Sequence, residues 1–328
     1  MHYWEPIWPI SWVTNGKLTP PLQHLSYFNP KTMFEKDTLL GKHILITGGG
    51  SGLGLAMAQQ LHTLGAKVAI CGRTETKLQA ATAQIGEGSL YFVCDVRDPA
   101  AVTAMFDYLT EQWGHINGLI NNAAGNFLAA SEDLSANAFA SVVDIVLKGT
   151  FHCTLEFGKR LIQSQGTAST PQEATTQGGN IVNIVTTYTE TGSAFVLPSA
   201  CAKAGVLAMT NSLAVEWSTY GIRVNAIAPG PFPTEGAWSR LMPDPSIEEA
   251  YKRGIPLGRY GQNEELANLA AFLMSPMAAY IQGGCITIDG GERLMAGQFN
   301  RFVQWMPRPM IKQAFSAMKS SRNPAQQP

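Results

Sequence analysis

Hydrophobic positions fall in short continuous runs separated by longer mixed segments. His43-Ile-Leu-Ile-Thr47, Lys67-Val-Ala-Ile-Cys71, Ser89-Leu-Tyr-Phe-Val-Cys94 and Asn117 to Asn121 are runs of this kind. So are Asn180-Ile-Val-Asn-Ile-Val-Thr186, Gly221 to Ala228 and Gly283 to Gly291. Each has the length and β-branched content of a buried strand. Between them, Leu55 to Leu64, Ala200 to about Tyr220 and Asn263 to Met274 read as helices. Ser135 to Ile162 reads as two helices, with Ser135 as a cap. Alternating strands and helices predict right-handed crossovers and a parallel sheet covered on both faces.

Four stretches stand outside this alternation. Residues 1 to 40 form an extension in which Trp4, Trp8 and Trp12 are spaced by four, while Pro6 and Pro9 break any regular helix. It reads as a strap packed on the body or on a neighbouring subunit. No cation adjoins these tryptophans, which counts against a membrane-surface anchor. Gln163 to Gly179 reads as a solvated insertion. Phe232 to Gly258 is polar and Pro-rich, as suits a substrate lid. Residues 293–328 read as a tail, amphipathic, then polar and fraying, so the domain expected is 41–292.

Composition narrows the class. The chain has 328 residues, 45% hydrophobic, which supports a large core. Its net charge of −1 implies neither a nucleic-acid nor a polybasic membrane partner. Five scattered cysteines form no Cys-x-x-Cys pair, so neither a metal site nor a disulfide framework is expected. Reduced thiols and the absence of a targeting signal suggest a cytoplasmic protein. No uninterrupted apolar run reaches membrane-spanning length.

Candidate chemistry starts at the first strand. Thr47-Gly48-Gly-Gly50-Ser51-Gly52-Leu53-Gly54 joins it to a helix. A glycine-rich turn lets the backbone approach a pyrophosphate, and the helix start supplies amide donors. After the second strand comes Gly72-Arg73, where an NAD enzyme would carry an acid. A guanidinium suits a 2′-phosphate, so NADPH is the expected cofactor. An arginine on a solvated loop is the plain alternative.

The stretch Tyr188 to Lys203 carries the remaining chemistry. Its Ala-Lys-Ala-Gly helix start and the Thr-Gly-x-x-x-Gly-x-Gly turn resemble the short-chain dehydrogenase/reductase family, with a single-domain α/β fold: a Rossmann-like doubly wound parallel sheet with helices on both faces. In that family a tyrosine stands four residues before the lysine. Here that position is Ser199, a far weaker acid than a phenol, whose pKa is roughly 10. Either the site is silent or the phenol comes from elsewhere, and Tyr188 is the nearest candidate. Val146 and Thr186 replace two further usual catalytic residues. These departures, with Asn-Asn-Ala-Ala-Gly-Asn126-Phe127, Pro-Ser199-Ala-x-Ala-Lys203 and Gly236-Ala-Trp-Ser-Arg240, resemble the NADPH-dependent 2,4-dienoyl-CoA reductases.

That resemblance implies roles. Tyr188 and Asn126 would donate to the thioester oxygen, Lys203 would hold the nicotinamide ribose, and Ser199 would support the network. Asp95 and Val96 would lie at the adenine, with Asn122, Ala123 and Ala124 beside the cofactor and Pro229, Gly230, Pro231 and Phe232 lining the nicotinamide. Arg97 and Arg240 would meet CoA, and Phe127 and Ser135 the substrate. An acyl-CoA substrate and a homo-oligomer, tetramer or dimer, follow from the same likeness. Plainer readings stay open: Tyr188 as a half-buried aromatic, Asn126 as a turn residue, Lys203 and the arginines as surface charges, Ser199 as an N-cap. An enoyl-CoA or 3-oxoacyl thioester reductase, or a silent NADPH-binding scaffold, are the alternative functions.

Overall fold

The computed structural model describes residues 34–164, 178–234, 248, 251–301 and 307–322. The chain divides into a unit Met1–Glu35 and a unit Lys36–Pro328. Seven strands form the sheet of the larger unit: β1 His43–Thr47, β2 Lys67–Gly72, β3 Leu90–Val93, β4 Gly118–Asn121, β5 Asn180–Ile184, β6 Arg223–Pro229 and β7 Cys285–Ile288. Their order is β3-β2-β1-β4-β5-β6-β7 and every pairing is parallel. The aliphatic runs fill β1, β4 and β5, whose residues are all buried, as helices on both faces require.

Helices α1 Gly52–Thr63, α2 Glu75–Ile85 and α3 Pro99–Trp113 follow the first three strands. Also present among the described residues are α4 Ala136–Val143, α5 Gly149–Ser164, α6 Leu197–Glu216, α7 Asn263–Met274 and α8 Arg308–Arg322. α1 packs against α7 and α2, and α3 packs against α5. The main core joins Leu45, Leu119, Ile181 and Val224 of the sheet to Phe106, Phe157 and Trp217. A Cβ on Gly158 would lie 2.3 Å from the Trp217 ring, so only glycine admits that ring here.

Several expectations are corrected. α2 and α3 do not stand out in the hydrophobic pattern. α2 shows the core only Leu78, Ala81 and Ile85; α3 has a fuller stripe, Val102, Met105, Phe106 and Leu109, behind an Asp98 cap. The expected helix pair at 135–162 is one rod, α4 and α5 continuing through a π-helical turn at Asp144–Lys148. That rod, Ala136–Ser164, is long and apolar enough to cross a membrane by length and composition. Cys153, Phe157 and Leu161 of the rod lie in the core, while most of its apolar window is not buried. α6 begins at Leu197 with Val196 as its cap residue, so Ser199 is not an N-cap but lies inside the first turn. Within the tail Arg308–Arg322 forms α8, with Ile311 buried, and the polar end expected to fray lies outside the described residues. The cysteines, scattered in sequence, converge in part: Cys71, Cys94 and Cys153 share the core, all as free thiols.

Candidate active site

The strand order reverses between β1 and β4, which opens a crevice at their carboxyl ends. The turn after β1 is shaped for close approach. Gly48 has φ +66, and a Cβ on Gly54 would lie 2.4 Å from the Gly48 carbonyl oxygen. Ser51 precedes α1 without capping it by its side chain, so the first amides of α1 face the crevice for an anion. Gly50 and Leu53 are half-buried around this turn. The turn is braced from β4: Thr47 Oγ1 accepts from the Asn122 and Ala123 backbone N–H groups, both at 3.0 Å. Asn122 Nδ2 donates to the Thr47 and Gly48 carbonyls at 3.1 Å. Thr47 and Asn122 thus hold the cradle open with their side chains, and Ala124 is exposed beside them.

Beyond β2, the Arg73 side chain is exposed, and among the described residues no hydrogen bond or ion pair engages it. Asp95 accepts from Arg97 Nη2 at 2.5 Å and from Nε at 3.0 Å. That guanidinium, aided by Arg73, holds the Asp95 carboxyl below its ordinary pKa. Arg97, expected at CoA, is therefore committed to the residue expected at adenine. Val96 is buried, with Gly149 against its side chain. On the opposite wall Pro229 and Pro231 are buried, Gly230 donates to the Ile288 carbonyl at 2.9 Å, and Phe232 packs over Gly261.

The catalytic candidates meet where β5 ends. Tyr188 sits in a short 3₁₀ turn, Thr187–Thr189, directly after the strand. Ser199 lies one helical turn before Lys203 on α6, so both face β5. The Tyr188 hydroxyl is 3.1 Å from Ser199 Oγ. The loop phenol therefore reaches the helix position that the family gives to its tyrosine. Lys203 is buried and donates from Nζ to the Ile184 carbonyl. Burial lowers its pKa to about 8, because a low dielectric disfavours the charged form. Lys203 is thus no surface lysine, and Tyr188 is half-buried with a bonded hydroxyl.

A sequence profile described as Enoyl-(acyl carrier protein) reductase matches residues 48–292. The chain is 42% identical over 280 residues to a Caenorhabditis elegans protein described as a probable 2,4-dienoyl-CoA reductase, (3E)-enoyl-CoA-producing, covering 81% of this chain and 87% of that one. A Bacillus subtilis protein, described as a probable (2E)-enoyl-CoA-producing 2,4-dienoyl-CoA reductase, is 42% identical, with 77% and 97% covered. The crystal structure of a short chain dehydrogenase from Bacillus anthracis matches with a TM-score of 0.67 and 44% identity, over 76% and 96% of the two chains. The chain belongs to the short-chain dehydrogenase/reductase family, in its 2,4-dienoyl-CoA reductase branch.

In this reductase the cradle, Tyr188, Ser199 and Lys203 come together around one crevice. Asn126 is exposed, and its Oδ1 accepts from the Phe127 N–H at 2.9 Å. Phe127 packs against the cluster of Val146, Val185 and Ala202, so it lies beside the Lys203 turn. Ser135 caps α4 by accepting from the Ala138 N–H at 3.1 Å. Arg240 and most of the expected lid lie outside the described residues. Among the described residues no group of three His, Cys, Asp or Glu could hold a metal. The cradle, the uncapped α1 amides and the paired prolines fit a nicotinamide dinucleotide.

Further residues, which the sequence reading missed, lie around these elements. Thr234 lies over Gly52, with its Cβ 3.3 Å from where a Gly52 Cβ would be. Tyr251 donates to Glu292 Oε1 at 2.6 Å. Burial, followed by the Glu292 bond, raises the Tyr251 pKa, and Tyr188 is among the groups that act on it. Phe195, at φ +65, accepts from the Ala129 N–H at 3.0 Å, which ties the Asn126 loop to the Tyr188 loop. Such a φ in a bulky residue is strained and persists only where the surroundings enforce it. Beneath the site, a buried polar ladder runs Thr154–Asn121–Asn183–Thr210 at 2.8–2.9 Å. The only signal for it in the sequence is asparagine in otherwise aliphatic strands.

Proposed function

We propose that the protein reduces 2,4-dienoyl-CoA thioesters to 3-enoyl-CoA with NADPH, in degradation of unsaturated fatty acids. The observation that carries this is the 3.1 Å contact of Tyr188 with Ser199. A phenol supplied from the loop, with a serine in the helix position, suits reduction along a conjugated chain better than at a ketone. NADPH, held by the Gly48–Gly54 turn, Arg73 and Lys203, would supply a hydride to the δ-carbon. Electron density then moves to the thioester oxygen, where the Tyr188 hydroxyl donates as charge develops. Asn126 gives a second donor once its amide turns from Phe127. Lys203 orients the ribose, and its charge favours the anion-like state of the phenol. A proton from water at the α-carbon leaves a 3-enoyl product; delivery to the γ-carbon would leave the 2-enoyl isomer.

The exposed, unengaged Arg73 supports NADPH over NADH. Arg97 and Arg240 are assigned to CoA phosphates, which requires Arg97 to share its guanidinium with Asp95. A cytoplasmic homo-oligomer, tetramer or dimer, completes the reading. It is supported by the five free thiols and by an apolar α4–α5 rod whose most apolar window is only 33% buried. Oxidation of NADPH on addition of hexa-2,4-dienoyl-CoA, with chromatographic identification of the product, tests the assignment. Turnover of 2-enoyl-CoA or 3-oxoacyl-CoA but not the diene would replace it. Tight NADPH binding without turnover of any of them would favour a silent scaffold.

A further inference from the structure

Among the described residues Phe195 is the one residue other than glycine with a positive φ, at +65. Glycine, or asparagine among the rest, takes that conformation at least cost, and a bulky side chain does not. Gly192, three residues earlier in the same loop, shows the usual choice at φ +70. The strain at Phe195 adds nothing to the core, because the residue stays 60% exposed. Its carbonyl accepts from the Ala129 N–H, but any residue supplies a carbonyl. What phenylalanine alone supplies there is an exposed ring, so the strain points to a role outside folding. Across that bond, the neighbour of Ala129 is Leu128, 51% exposed. Phe127, next in the chain, packs against the cluster of Val146, Val185 and Ala202 beside the Lys203 turn. Apolar residues thus continue from that cluster through Phe127 to Leu128 and Phe195.

The charges on the same loops select the ligand. Residues 126–135 and 187–202 carry Glu132, Asp133 and Glu190, all exposed, and no lysine or arginine. Such a surface repels an anion, CoA phosphates included, and a symmetric contact between two copies would set acids against acids. An uncharged apolar chain meets no repulsion and gains by burial. We propose that Leu128 and Phe195 seat the acyl tail of the substrate beyond its diene, and so set the preference for chain length. This rests on the dienoyl-CoA reading above. The two loops follow β4 and β5 and also carry Asn126 and Tyr188, the donors assigned to the thioester oxygen. CoA and the tail leave an extended diene in opposite directions. The acids that keep CoA away therefore leave this surface to the tail.

The test is kcat/KM of the full-length protein for hexa-, octa- and deca-2,4-dienoyl-CoA. A methylene fully removed from water is worth about 0.8 kcal/mol, close to fourfold. On a surface that covers one side of the chain, roughly twofold per methylene is expected, hence about 16-fold from the hexadienoyl to the decadienoyl substrate. The rise should fall on KM, since the tail does not react. Leu128→Ser with Phe195→Asn removes the apolar surface and keeps the loop, because asparagine tolerates a positive φ. This double variant should turn over hexadienoyl-CoA as the parent does, with no fall in Tm, and flatten the rise to less than about twofold. A parent whose kcat/KM does not rise with length, or a double variant that keeps the rise, would overturn the inference and leave the reductase reading standing. No turnover of any dienoyl-CoA would overturn that reading and the inference with it. A smaller oligomeric mass in the double variant would overturn it too, by making a second copy the partner.

Discussion

At the scale of single residues, chemistry turns on one displaced hydroxyl. If Tyr188 donates to the developing dienolate, its bond is stronger in the transition state than in the ground state, so its loss falls on kcat. Tyr188→Phe should cost on the order of 10²–10³-fold in kcat, as for one oxyanion donor. Ser199→Ala should cost less, and NADPH affinity should survive both changes. Near-normal turnover by Tyr188→Phe alongside an inactive Ser199→Ala would move the essential hydroxyl to Ser199. Arg73→Ala should weaken NADPH far more than NADH, read as the ratio of the two dissociation constants, because only NADPH loses a charged partner. Lys203 adds a pH signature. Its pKa of about 8 lies below the ordinary 10.5, so the free enzyme loses the ammonium as pH rises through 8. The kcat/KM for NADPH should fall there. Stability runs the other way: between pH 8 and about 10.5 the unfolded chain binds the extra proton, so this group's contribution to apo stability rises with pH. Lys203→Met should flatten both trends, and a profile that keeps its slope in that variant would assign the titration elsewhere.

At the scale of elements, the site depends on how α6 lies on β5. Lys203 and Thr210 are two helical turns apart on one face of α6. Lys203 bonds to Ile184, and Thr210 accepts from Asn183 one residue earlier on the strand. The Asn183–Thr210 bond therefore sets the rotation and height of the helix that carries Ser199 and Lys203. Asn183→Ala would remove one partner from each side, leaving the Thr210 hydroxyl bonded to the Val206 carbonyl and Asn121 Nδ2 bonded to Thr154. Two buried hydrogen bonds are lost, each worth about 0.5–1.5 kcal/mol, so Tm should drop by several degrees. Turnover should fall beyond that loss, measured where the variant is still fully folded. Normal turnover by the folded variant would make the ladder a stability device without a part in positioning.

At the scale of the whole molecule, every described residue assigned to the site lies in the unit Lys36–Pro328. Deleting residues 1–33 is therefore expected to leave NADPH affinity and kcat unchanged in steady-state assays. A large fall in either would place part of the site in the extension.

The sequence by itself determined the layers and the cradle. Unbroken aliphatic runs make buried parallel strands, and the α1 turn needs glycines because other side chains would strike backbone. These are local constraints, so β1 and α7 are bounded where the pattern ends, at His43–Thr47 and Asn263–Met274. Weakly amphipathic α2 was not legible, and the start of α6 was displaced because Leu197 and Pro198 look like loop until a helix is seen to begin at them. Only the tertiary structure decided the site. Tyr188 and Ser199 are eleven residues apart, and nothing in their spacing requires the hydroxyls to meet. It also built the Asn183 ladder from residues separated by up to 62 positions. Such contacts depend on strand order and helix rotation, which the packing of the entire core sets and no local pattern encodes.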